Sequence, residues 1–61
     1  MISLVIHGCS GRMGHILTEL AQKDARFTIA AGVDAAPVAS LPYPIYSSLD
    51  KVTEPFDCVI D

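Results

Sequence analysis

Apolar side chains crowd the start of the chain, where Ile2, Leu4, Val5 and Ile6 are broken only by Ser3 and His7. Such a run suits a strand covered on both faces of a parallel sheet, so Ile2–His7 is the first predicted strand and Gly8 ends it. Beyond the glycines the rhythm changes. Met13, Ile16, Leu17, Leu20 and Ala21 fall at i, i+3, i+4, i+7 and i+8, one apolar stripe of a helix running from Gly11 to Lys23. Lys23 opposes the negative end of the helix dipole, and Asp24-Ala25-Arg26 makes a short turn out. Phe27 to Val33 then reads as a second strand that ends at Asp34.

Between Asp34 and Pro44 stand Pro37, Pro42 and Pro44, which disfavour both helix and central strand and predict a loop. Ile45-Tyr46 fits a very short third strand. Ser47 or Ser48 is placed to cap a single helical turn reaching Val52, with Leu49 and Val52 expected to face inward. Pro55 stops that turn, and Phe56 to Asp61 reads as a last buried strand. No internal repeat is visible. Strand, glycine turn, helix and strand form a right-handed βαβ unit. The fold class is therefore α/β, a Rossmann-like part of a doubly wound parallel sheet with strand order 3-2-1-4. Ligands of such sheets bind at the carboxyl ends of the strands beside the switch point, where Gly8 and Asp61 are both expected.

Composition narrows the function classes. With 61 residues, one domain is the ceiling, and 51% hydrophobic content excludes intrinsic disorder. A domain this short buries only about 60% of the surface its unfolded chain exposes, so its stability is marginal without a partner. The basic residues are Arg12, Lys23, Arg26 and Lys51, unclustered, and the net charge is -3, which argues against nucleic acid or an acidic membrane as partner. Cys9 and Cys58 are too few for a disulfide framework and have no metal-ligand spacing, so both are expected to be reduced thiols, with no metal site. MISLVIHG lacks a basic leader and is far shorter than a membrane span, which points to a cytoplasmic protein.

The chemistry lies in Gly8-Cys9-Ser10-Gly11-Arg12-Met13-Gly14, a G-x-x-G-x-x-G loop between a predicted strand and a predicted helix. Gly8 can adopt a backbone conformation closed to other residues, Gly11 lets the main chain approach a pyrophosphate, and Gly14 lets the helix pack closely on the strand. The helix start offers free N–H groups and a positive dipole end to phosphates. Asp34 follows Gly14 by 20 residues, where a carboxylate accepts hydrogen bonds from both adenosine ribose hydroxyls. Ala35 and Ala36 supply no cation for a 2'-phosphate, which favours NAD over NADP, although Arg12 can partly offset that. The plainer readings are a glycine turn that only connects strand to helix and a solvated aspartate that only starts a loop. Cys9 has no paired base and reads as a small residue filling the turn; His7 and His15 read as structural, and Met13 as core. Arg12, beside the phosphate loop, is a candidate cofactor contact. No catalytic residue is identified.

GCSGRMG after an N-terminal strand resembles the dinucleotide loop of the 4-hydroxy-tetrahydrodipicolinate (dihydrodipicolinate) reductase family, with its G-x-x-G-(R/K)-M-G pattern. The tail FDCVID is similar to that family's D-V-V-I-D-F strand. The resemblance spans the chain, although the Pro-rich middle matches only in layout. It implies that Gly8 to Met13 line the cofactor pyrophosphate, and that Asp34 takes the acidic ribose-binding position. Many relatives follow that acid with an arginine for NADP; Ala35 departs from them. It further implies an NAD(P)H-dependent oxidoreductase of diaminopimelate and lysine biosynthesis, homotetrameric through a C-terminal domain. The family's Gly-Thr-Thr-Gly segment, His-rich substrate motif and catalytic lysine have no counterpart here. Residues 1–61 are thus expected to be the N-terminal portion of a dinucleotide-binding domain, inactive alone, with an exposed sheet edge that pairs in a homodimer. The alternatives are another Rossmann dehydrogenase and a regulatory module that binds NAD without turning it over.

Overall fold

The computed structural model describes residues 1–36 and 41–60. Along the chain lie β1 (Ile2–His7), α1 (Arg12–Lys23), β2 (Phe27–Val33), β3 (Ile45–Tyr46), a 3-10 turn (Leu49–Lys51) and β4 (Cys58–Ile60). The four strands form one parallel sheet in the order β3-β2-β1-β4, as the sequence predicts. Pro37 and Asp61, expected in the loop and at the switch point, lie outside the described residues.

The central strand β1 carries consecutive buried residues, Leu4, Val5 and Ile6, so it is covered on both faces. Ile6 packs with Cys9, Tyr43, Leu17 and Ile29 under α1, while Val5 packs with Ala31, Val33, Tyr46 and Val52 on the opposite face. Segment 47–57 runs across that second face. Tyr46 donates its hydroxyl hydrogen to Glu54 Oε1 at 2.8 Å, which ties the segment down.

β2 contains an irregularity that the periodicity does not reveal. Leu4 is paired with Ile29 but Val5 with Ala31, so Ala30 is an extra residue in β2. Such a bulge shifts the alternation of the strand by one position. Ile29 therefore belongs to the cluster beneath α1, whereas Ala31 and Val33 belong to the other face and Gly32 returns beneath α1.

Three expectations need correction. On α1 the buried residues are Gly14, Thr18 and Ala21, with Leu17 half-buried, whereas Met13, Ile16 and Leu20 are 64%, 46% and 60% exposed. The helix contacts the sheet through its small residues because these permit the closest approach. Leu17 and Leu20 border an open apolar groove with Leu4 and Ile60 of the sheet. The last strand is three residues, Cys58–Ile60, and is not buried: Cys58 and Val59 are exposed because β4 is an edge strand paired only with β1. At the 3-10 turn only its C-cap residue, Val52, packs inward, and Leu49 is 40% exposed, since so short a turn presents one residue to the sheet. Ser48 holds the N-cap position without a side-chain cap bond; its hydroxyl donates instead to Asp50.

Among the described residues no helix is long and apolar enough to cross a membrane, and both cysteines are free thiols. The exposed stripe sets a stability test. Leu20→Gln is expected to change the unfolding free energy by no more than about 0.5 kcal/mol. Ile6→Val, at a fully buried position, should cost about 0.5 to 1.5 kcal/mol. Urea unfolding of the two variants checks the order.

Candidate dinucleotide-binding site

At the carboxyl end of β1 the chain must turn sharply back into α1. Gly8 makes that turn with φ +77°, in the left-handed region that costs other residues about 1–2 kcal/mol. Its N–H donates to Val33 O at 2.7 Å, and the Cys9 N–H reaches the same carbonyl at 3.4 Å. These bonds join the loop to the end of β2.

The loop then closes on itself. Gly11 N–H donates to Gly8 O at 3.2 Å, and Gly11 becomes the N-cap of α1 with no side chain to accept from the first turn. The first helical bond runs from His15 N–H to Gly11 O. Among the described residues, the N–H groups of Arg12, Met13 and Gly14 donate to no backbone carbonyl, and the first turn holds no acidic residue. Together they form a short positive arc.

Gly14 is required by packing, though against a different neighbour than expected. A Cβ there would lie 2.5 Å from Cys9 O and 2.6 Å from Cys9 Cα, so the helix presses on the loop's own backbone rather than on the strand. A Cβ on Gly11 would make only an ordinary contact, 3.5 Å from Gly8 O, and Gly11 is exposed. Its bare Cα leaves the outer side of the loop open to an approaching group.

Asp34 brings the second half of the sequence fingerprint to this loop. Its Oδ2 accepts from Ser10 N–H at 3.1 Å, and its Oδ1 accepts from Ala36 N–H at 2.9 Å. Its own N–H donates to Tyr46 O at 2.9 Å, which fixes it between β2 and β3. The Ala36 and Ser10 amides hold the carboxyl below its ordinary value of 3.8, and the charge of nearby His7 assists. A carboxylate has about four acceptor positions. The two amides and the Ser10 hydroxyl occupy part of these and leave room for a further donor.

The remaining predicted positions divide by exposure. Arg12 is exposed beside the open amides, and Met13 is exposed rather than core. Cys9 is fully buried, with its Sγ turned beneath the loop toward Gly32 and Tyr43, and burial pushes its thiol up. It can meet a ligand only through its backbone. Thr18 and Tyr43 were not singled out from the sequence, yet both are buried directly under this loop and hydrogen-bonded to each other at 2.8 Å. A threonine four residues after a glycine and a tyrosine among prolines give no pattern that marks them. A surface cavity of about 240 Å³ beside Phe27, Thr28 and Gln22 lies toward the start of β2 and does not include the glycine loop.

A glycine turn at a helix start joined to an acid at the end of the next strand is the arrangement used for dinucleotides in doubly wound sheets. The family model for "Dihydrodipicolinate reductase, N-terminus" matches residues 2–61. The chain belongs to the dihydrodipicolinate reductase family. It is 46% identical over 61 residues to a 4-hydroxy-tetrahydrodipicolinate reductase of Caldanaerobacter subterraneus subsp. tengcongensis. Two further proteins of that name are similar to it, from Clostridium botulinum at 36% and Clostridium perfringens at 34% identity. Each match covers 100% of this chain and 24% of the relative, so the chain spans about a quarter of the length of these curated relatives. No solved structure matches the chain.

Acid should act on Asp34. Its folded-state value lies below the unfolded one, so its contribution is fully present above the unfolded value and is lost as pH falls through the folded value. A carboxyl-shift titration is expected to place Asp34 below 3.8. Unfolding measured against pH should lose part of its acid limb in Asp34→Asn.

Proposed function

We propose that residues 1–61 are the N-terminal portion of a dinucleotide-binding domain and bind the adenosine-diphosphate half of a nicotinamide dinucleotide. The reading is carried by one observation: Asp34 is hydrogen-bonded to Ser10 within the glycine loop, so an acid for the ribose and amides for the pyrophosphate stand side by side. Arg12, Met13 and Gly14 offer N–H groups to the pyrophosphate, Gly8 and Gly11 give it access, and Cys9 and Ser10 shape the loop. Arg12 adds a cation at the rim. The resident amides preorganise Asp34 to accept from the ribose diol, with the Ser10 hydroxyl that also bonds it giving way where both diol hydroxyls donate.

In a full-length protein of this family, the bound dinucleotide supplies the hydride that reduces 4-hydroxy-tetrahydrodipicolinate, in the cytoplasm, on the path to diaminopimelate and lysine. The chain's own part is to bind and orient the cofactor. With no general acid or substrate contact assigned among its residues, turnover by the 61-residue chain is expected to be absent.

The carboxylate also sets the cofactor choice. It accepts from a ribose diol and repels a 2'-phosphate, and exposed Ala35 beside it brings no positive charge. Titration of the chain with ADP-ribose should shift the amides of residues 8–14 and Asp34, and 2'-phospho-ADP-ribose should bind about tenfold more weakly, a difference of about 1.4 kcal/mol. Silent spectra at millimolar ADP-ribose would overturn the reading. Tighter binding of the phosphorylated probe would assign the preference to NADP through Arg12.

The open edge of β4 supports a second part of the proposal, self-association. Cys58–Ile60 pairs only with β1 and contains neither proline nor lysine to discourage another strand. Sedimentation equilibrium is expected to show a dimer that dissociates on dilution. A folded monomer up to millimolar chain would exclude it.

A further inference from the structure

The fourth glycine of the chain, Gly32, stands outside the loop fingerprint. A Cβ on it would lie 2.5 Å from Cys9 Sγ and 2.7 Å from Tyr43 Cε1, so its bare Cα makes the space in which these two side chains meet. Tyr43 lies just before β3, and Gly32 N–H holds the approach to β3 by donating to Pro44 O at 2.9 Å. At its far end the Tyr43 hydroxyl lies 2.8 Å from Thr18 Oγ1 on α1.

The direction of this hydrogen bond follows from proton counting. Thr18 Oγ1 donates its single hydrogen to Gly14 O at 2.8 Å, so Tyr43 must be the donor to Thr18. A directed chain thus runs from Tyr43 through Thr18 to the carbonyl of Gly14 in the first turn of α1. Burial raises the Tyr43 phenol, which keeps it in the donating form at neutral pH. Thr18 and Tyr43 are 5% and 9% exposed, so water does not readily replace either partner.

We propose that Tyr43 and Thr18 are positioning residues that set the spacing between the paired ends of β2 and β3, where Asp34 is held, and the phosphate-binding start of α1. The proposal rests on the dinucleotide reading above. A ligand that touches only the glycine loop is indifferent to this spacing. One that spans the loop and Asp34 depends on it, because its two contacts form together only if both halves are held at the right separation.

Two probes separate these cases: inorganic pyrophosphate, which reaches only the loop, and ADP-ribose, which spans both halves. In Tyr43→Phe, which keeps the ring, pyrophosphate affinity by amide-shift titration should stay within about twofold, while ADP-ribose weakens about fivefold, the worth of one net hydrogen bond. Thr18→Val should repeat that pattern, and Thr18→Ser should restore the wild-type ratio. Should Tyr43→Phe not fold, the Thr18 pair decides alone. An equal loss for both probes, or no loss for either, would overturn the positioning role and leave the dinucleotide reading intact. Wild-type chain that binds pyrophosphate but not ADP-ribose, or neither probe, would overturn both.

Discussion

The structure depends on how closely α1 lies on the turn that launches it. The chain leaves β1 at His7 and begins the helix at Arg12, and the returning helix meets the loop backbone at Gly14 with no room for a Cβ. Three consequences follow from that one contact. The turn must enter the left-handed region at Gly8, the helix must turn Gly14 to the loop and bury Thr18 and Ala21, and the first helical amides are left without a backbone carbonyl among the described residues. A bulkier helix face would lift α1 from β1 and β2, and the arc of N–H groups would lose its position relative to Asp34. Packing and binding geometry are therefore the same constraint seen from two sides of the loop.

The strands were legible because β1 is covered on both faces, and a continuous apolar run such as Leu4-Val5-Ile6 has few other uses in so short a chain. The glycine loop and Asp34 were legible because positive φ, close approach and a carboxylate at a strand end each restrict residue type. The helix face was misread for a physical reason. Apolar periodicity reports which side chains avoid water on average, whereas the sheet here selects for small size, so Thr18 displaced Met13 and Leu20 from the interior. The bulge at Ala30 left no trace in the pattern, since β2 is apolar around it and a shifted alternation of Ile, Ala and Val looks like an unshifted one. The strand order placed β4 at an edge, as found, whereas its apolar composition suggested burial that Cys58 and Val59 do not have, because composition records what a strand can pack against and not what covers it.

The candidate site divides its work between backbone and side chains. On the proposed reading, phosphate recognition would fall to amides whose presence does not depend on residue identity, provided the glycines permit the path. On the same reading, choice between cofactors would fall to Asp34 and, at the rim, Arg12. Substitutions at the glycines should thus act first on folding and through it on affinity, whereas substitutions at Asp34 or Arg12 act on which phosphate pattern is accepted. The pKa of Asp34 expresses the same division: the two amides that depress it are structural, and the ionised form they maintain is the one a ribose diol needs.

Marginal size gives this coupling its force. In a core built on Ile6, Val5, Cys9 and a few neighbours, no element is stabilised independently of the loop that joins it to the next. A ligand that bonds the amides of α1 and the carboxylate after β2 would bridge the two elements whose packing defines the core. Its binding energy would add directly to the stability of the folded chain, by an amount set by ligand concentration over its dissociation constant. The Gly32, Tyr43 and Thr18 contacts hold those elements together from beneath, and the dinucleotide would hold them from above. A fold with so few contacts can keep a site in register because the groups that build its core are continuous with the groups that meet the ligand.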